Sequence, residues 1–124
     1  MGVDDVVIRE LHTAAGQLTQ FQQPKKVKRY PCLYPWERLV VSAKGKIKFC
    51  PGDWMGGSEI GDLNTSTIAE IWEGEYMSRL RGAHLHNNFG DHSFCGKCPD
   101  WENTCWPEQG RSYSDMVGEL CESA

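Results

Sequence analysis

At 124 residues the chain has room for one compact domain, because a second core would leave both halves undersized. With 13 glycines and 6 prolines against a 40% apolar fraction, it predicts a modest core, much irregular backbone and the need for a disulfide or metal staple. A formal net charge of -4 argues against a surface-wide nucleic-acid footprint, and no stretch approaches the ~18 apolar residues of a membrane span.

Residues 1–23 place Val3, Val6, Val7 and Leu11 at helical spacing ahead of a polar, Gln-rich segment, which predicts a peripheral helix or leader without chemistry of its own. The acidic N-terminus lacks the positive charge and apolar run of a secretory signal, so the expected compartment is the cytoplasm. Disulfides are rare there, which turns the six cysteines toward metal or redox chemistry. The basic run Pro24-Lys25-Lys26-Val27-Lys28-Arg29 reads as a solvated linker.

Leu39-Val40-Val41 and Lys46-Ile47-Lys48-Phe49 flank Ala43-Lys44-Gly45, and the second run alternates polar and apolar residues. This predicts a two-stranded β-hairpin with Gly45 supplying a positive φ at the turn. The hairpin should return Cys50 to the neighbourhood of Cys32 across 17 intervening residues. Pro51 to Gly61 has no period and predicts a loop, in which Asp53 is best read as an Asx-turn residue.

Thr67, followed three residues later by Glu70, matches a capping box and predicts a helix start. Ile68, Ile71, Trp72, Tyr76 and Leu80 form an expected core stripe, with Gly74 dividing it into two short helices. The five tryptophans are expected to fill the core and shield the site, and His84, His86 and His92 lie in polar, surface-like sequence. Cys95-Gly96-Lys97-Cys98 predicts a tight knuckle in a loop-rich C-terminal part. The expected fold class is α+β: a small metal-stapled domain built from that hairpin, one or two short helices and the knuckle.

Cys32 and Cys50, joined through the hairpin to Cys95 and Cys98, make four soft ligands arranged two plus two. Four thiolates suit zinc or an iron-sulfur cluster equally well, and spacing alone does not choose. His92 offers a His-x2-Cys-x2-Cys alternative, and Cys95, Cys98, Cys105 and Cys121 form a competing four-thiolate set.

The surrounding residues carry a resemblance. Cys32-x12-Gly45-x4-Cys50, Cys50-Pro51-Gly52-Asp53, Ile60-Gly61-Asp62-Leu63, Ile68-Ala69-Glu70-Ile71-Trp72 and Cys95-x2-Cys98-Pro99-Asp100-Trp101 resemble the SPASM/twitch accessory domain of radical S-adenosylmethionine enzymes. The resemblance covers residues 31–101. It implies an auxiliary 4Fe-4S cluster on Cys32, Cys50, Cys95 and Cys98, with zinc as the alternative occupant of a purely structural interaction module. The expected partner is a radical S-adenosylmethionine catalytic domain, in cis or in trans, acting on a peptide or small-molecule substrate, with no nucleic acid and no membrane involved.

Cys105 and Cys121 do not complete the second cluster of the longer family form, so one cluster is expected, as in the shorter twitch form. The chain also lacks the Cys-x3-Cys-x2-Cys triad of those enzymes and is not expected to start radical chemistry alone. It reads as a detached C-terminal domain or a free-standing relative. Residues 1–30 are then a peripheral helix and linker, 31–101 the cluster-binding domain and 102–124 a C-terminal extension.

Overall fold

The computed structural model describes residues 2–4, 6, 12–21, 29 and 31–101. Cys105, Cys121, Trp106 and most of the basic run lie outside the described residues, as do Val7 and Leu11. Among the described residues no helix is long and apolar enough to cross a membrane.

The elements run α1 (Tyr34–Glu37), β1 (Val40–Val41), β2 (Lys46–Lys48), β3 (Glu59–Asp62), α2 (Ile68–Trp72), α3 (Glu75–Leu85) and α4 (Ser93–Lys97), after a short 3-10 turn at Thr19–Phe21. This is an α+β arrangement around a three-stranded antiparallel sheet in the order β1-β2-β3. The predicted hairpin is present, with Val40 opposite Lys48, Val41 opposite Ile47 and Gly45 at φ +79°.

The sheet corrects the two-stranded expectation. Part of the segment read as loop, Glu59–Asp62, pairs with β2 and carries an irregularity opposite Ile47 and Lys48. Lys46 reaches across this pairing to Asp62 at 2.9 Å and Glu59 at 3.7 Å. Those ion pairs are solvent-exposed and contribute little beyond fixing register.

The capping box is formed as predicted: Glu70 N–H donates to Thr67 Oγ1, and Thr67 N–H donates to the Glu70 carboxylate. Gly74 then separates α2 from α3 as its N-cap. A methyl group there would lie 2.7 Å from the Glu70 carbonyl oxygen. We expect Gly74→Ala to destabilise the protein by about 1–3 kcal/mol through this backbone overlap, read as a lowered denaturation midpoint; an unchanged midpoint would show that the α2–α3 corner can open.

The predicted apolar stripe is only partly buried. Ile68 and Tyr76 are exposed, whereas Met77, Leu80, Ala83 and His84 form the buried face of α3. The break at Gly74 resets the helical phase, so positions counted across it do not share a face. Met77 and Leu80 join Phe49 and Cys95 in one core cluster, with Leu39, Cys50, Ile60, Trp72, Phe89 and Phe94 packed against it. Arg81 locks the helices together by donating to the carbonyls of Pro35 at 2.9 Å and Trp72 at 3.0 Å.

Candidate metal centre

Three of the four described cysteines are held by short segments whose backbone also serves the sulfur. Cys32 follows the buried Pro31 and precedes α1, and the N–H of Tyr34 donates to its sulfur. Cys50 follows β2 and opens a turn in which Asp53 N–H bonds the Cys50 carbonyl at 3.3 Å. The N–H groups of Gly52 and Asp53 also point at the Cys50 sulfur. Cys98 caps α4, and Asp100 N–H donates to its Sγ at 3.4 Å.

Three sulfurs thus receive an amide from the residue two positions on. A neutral thiol is a weak acceptor and a metal-bound thiolate a strong one, so such amides stabilise the charged form and tune a bound metal group.

Cys95 is different. It sits inside α4, buried in the core, and the Cys98 N–H bonds its carbonyl at 3.2 Å. The predicted knuckle is therefore the last turn of a helix. Gly96 does not use a positive φ, and its lack of a side chain serves close packing instead, since an added methyl would lie 3.0 Å from Phe89 Cβ.

The electrostatics place the sulfurs in one neighbourhood. Burial pushes the Cys32 thiol up to about 12, against the Tyr34 amide, and Cys50 and Cys98 push it further. Burial likewise drives Cys50 to about 12, with Cys98 and Asp53 adding repulsion. Cys95 is raised by burial and then by Cys32, Cys50 and Cys98 together. Cys32, Cys50 and Cys95 are each raised by burial and by neighbouring sulfurs, so a metal group bound to these thiols would have to displace their protons.

None of the four is joined in a disulfide among the described residues. Among the described residues, no three His, Cys, Asp or Glu side chains converge tightly enough to hold a single metal ion.

The supporting shell includes residues the sequence reading placed elsewhere. Thr13–Gly16 forms a turn with Ala14, Ala15 and Gly16 all at positive φ, and both alanines are buried. Left-handed alanines cost about 1–2 kcal/mol each, and the Asp100 carboxylate offsets this by accepting from Thr13 N–H, Thr13 Oγ1 and Ala15 N–H. A methyl on Gly16 would meet the Lys97 carbonyl at 3.1 Å, and one on Gly52 would lie 3.6 Å from Cys50 Sγ and 3.7 Å from Ala15 N. The turn thus packs between the Cys50 loop and Cys98. No periodic signal marks it in the sequence.

Two histidines expected at the surface are buried. His84 Nδ1 accepts the Cys32 N–H at 3.3 Å, and burial followed by repulsion from Arg29 lowers its pKa to about 3. It is a neutral acceptor that fixes the Cys32 backbone. His92 packs edge-on against Tyr76 with ring centres 5.3 Å apart, whereas His86 is exposed as expected.

Asp53 forms the predicted Asx turn by accepting from Met55 N–H, and goes further. It is buried, and its carboxylate also accepts from Gly56 N–H, Ser58 N–H, Ser58 Oγ and Gln17 Nε2. Trp101 is buried as expected, but Trp54 is 64% exposed.

No curated protein and no solved structure matches the chain. The SPASM family, an iron-sulfur cluster-binding domain, matches residues 32–99. That span begins at the first cysteine of the cage, ends one residue past the last and covers more than half of the sequence; the chain belongs to the SPASM family of iron-sulfur cluster-binding domains.

Proposed function

We propose that Cys32, Cys50, Cys95 and Cys98 hold one auxiliary 4Fe-4S cluster, and that the domain serves electron transfer in a radical S-adenosylmethionine enzyme. The observation that carries the reading is the convergence of these thiols from α1, β2 and α4 inside the family-matched segment, with backbone amides directed at the sulfurs. The donor set fits such a group. Four soft thiolates are accepted by zinc as well as by a cluster, and the family match favours the cluster.

When bound, the cluster supplies one-electron chemistry. The chain's own part is to hold and insulate it. Tyr34, Gly52, Asp53 and Asp100 offer N–H groups to the sulfurs, and Phe49, Met77 and Leu80 place an apolar wall beside Cys95. With four protein thiolates as ligands, no iron is left open for a substrate, which favours electron transfer over substrate anchoring. The catalytic domain with its own Cys-x3-Cys-x2-Cys motif is supplied in cis or in trans, and its substrate is a peptide or a small molecule. Alone, this chain is not catalytic.

Anaerobically purified protein is expected to be brown, to contain roughly four irons and four sulfides per chain, and to undergo reversible one-electron reduction. A colourless anaerobic preparation with stoichiometric zinc would instead establish a structural zinc module.

A further inference from the structure

Arg29 stands at the end of the basic run, outside residues 32–99, yet its side chain reaches the cysteine cage. Its Nη2 donates to the Cys95 carbonyl at 2.7 Å and its Nη1 to the Gly96 carbonyl at 3.3 Å. The guanidinium carbon lies 4.1 Å from the centre of the Phe89 ring, which flattens the group against the α4 end of the site. The residue is half-buried, so its field is less screened by salt than that of a surface arginine.

We infer that Arg29 is the fixed positive charge that raises the reduction potential of the group held by Cys32, Cys50, Cys95 and Cys98. The inference rests on the cluster reading above. A cluster on four thiolates is anionic and gains a further negative charge on accepting an electron, so a nearby cation stabilises the reduced state more than the oxidised one. An arginine keeps its charge at every working pH. Its positive charge acts on the Cys32 and Cys95 thiols, and among the described residues no other cation acts as strongly on either. Asp53, beside Cys50, works in the opposite sense.

A purely structural arginine would only cap the carbonyls of α4, and three substitutions in the full chain separate the two roles. Arg29→Gln keeps a donor for those carbonyls and removes the charge, Arg29→Lys keeps the charge, and Arg79→Gln removes an exposed charge that pairs with Glu75 at 2.6 Å. Iron and sulfide are counted first. Each loaded protein is then titrated anaerobically with dithionite as electron donor, and the reduced form is followed by electron paramagnetic resonance.

Arg29→Gln is expected to shift the reduction equilibrium at least tenfold toward the oxidised form, a fall of about 59 mV for one electron. Arg29→Lys should recover at least half of that shift, and Arg79→Gln should match the unsubstituted protein. A fully loaded Arg29→Gln protein that titrates within twofold of the unsubstituted one overturns the inference. An Arg29→Lys protein that falls as far as the glutamine variant overturns it too, because hydrogen-bond geometry and not charge would then be responsible. Should Arg29→Gln fail to load, the lysine variant is compared directly with the unsubstituted protein: titration within about threefold of it upholds the inference, and a shift of tenfold or more toward the oxidised form overturns it, because the charge is kept. An unsubstituted protein that binds no iron defeats the cluster reading itself, at the counting step, before any potential is measured.

Discussion

Cys32→Ala is expected to reduce the iron content of the protein at least tenfold, while Cys105→Ala and Cys121→Ala leave it close to its original level. Cys32 reaches the cage only through the fold: the buried Pro31, the start of α1 and the bond from its own N–H to His84 place its sulfur among the others. Removing it leaves an open corner, and Cys50 and Cys95 stay protonated at neutral pH, since burial and repulsion from neighbouring groups hold Cys50 near 12 and Cys95 above its ordinary value. Metal binding energy in such small domains is also folding energy, so the variant should unfold at a lower temperature than the loaded protein. The competing set of Cys95, Cys98, Cys105 and Cys121 predicts the reverse pattern, with Cys32 dispensable. Iron analysis of the three variants, purified anaerobically side by side, decides between them.

Asp53→Ala should cost about 3 kcal/mol of stability, a large effect for a residue that touches no metal. Burial alone would raise the Asp53 pKa, but the Ser58 hydroxyl and amide, the Gln17 side chain and the Gly56 amide together hold it well below the usual carboxylate range. The carboxylate is therefore ionised and saturated with donors. Alanine would strand buried N–H groups around it and release the loop that aims the Gly52 and Asp53 amides at Cys50. Gln17, which bonds both Asp53 and the Trp54 amide, would lose its anchor as well. Chemical denaturation of the loaded protein measures the loss; a decrease below about 1 kcal/mol would mean that water replaces the carboxylate and that the loop is held by its other contacts.

The parts of the fold that were legible in the sequence are those set by local chemistry. Gly45 in the hairpin turn, Thr67 with Glu70 at the start of α2, and Gly74 at the α2–α3 corner each act through neighbours a few residues away, and all three are found as read. Elements set by distant partners were not legible. Glu59–Asp62 has neither length nor alternation, and becomes a strand because β2 offers it a free edge. Gly61 there makes room for Ile71, whose side chain an added methyl would strike. The α3 face was misjudged because its phase was carried across Gly74 from α2.

The same division runs through the site. A Cys-x2-Cys pair alone is a moderate signal, and it gained weight only beside Cys32 and Cys50; the Cys32 and Cys95 thiols each lie close enough to Cys50 and Cys98 to feel their charge. Arg29 was hidden within a run of exposed-looking charges, and Ala14 and Ala15 belong to a residue type that rarely adopts a left-handed backbone. The Asp100 carboxylate, more than eighty residues away, is the distant partner that helps hold that turn. A polar residue directly after Cys98-Pro99 was the single cue available.

X-ray absorption at the iron edge of the anaerobically isolated protein tests the central claim most directly. The account predicts iron in an all-sulfur environment with a second shell of neighbouring irons, in samples of the full chain and in those lacking Cys105 and Cys121. Iron without an iron neighbour, or a site filled by zinc alone under strict exclusion of oxygen, would contradict it.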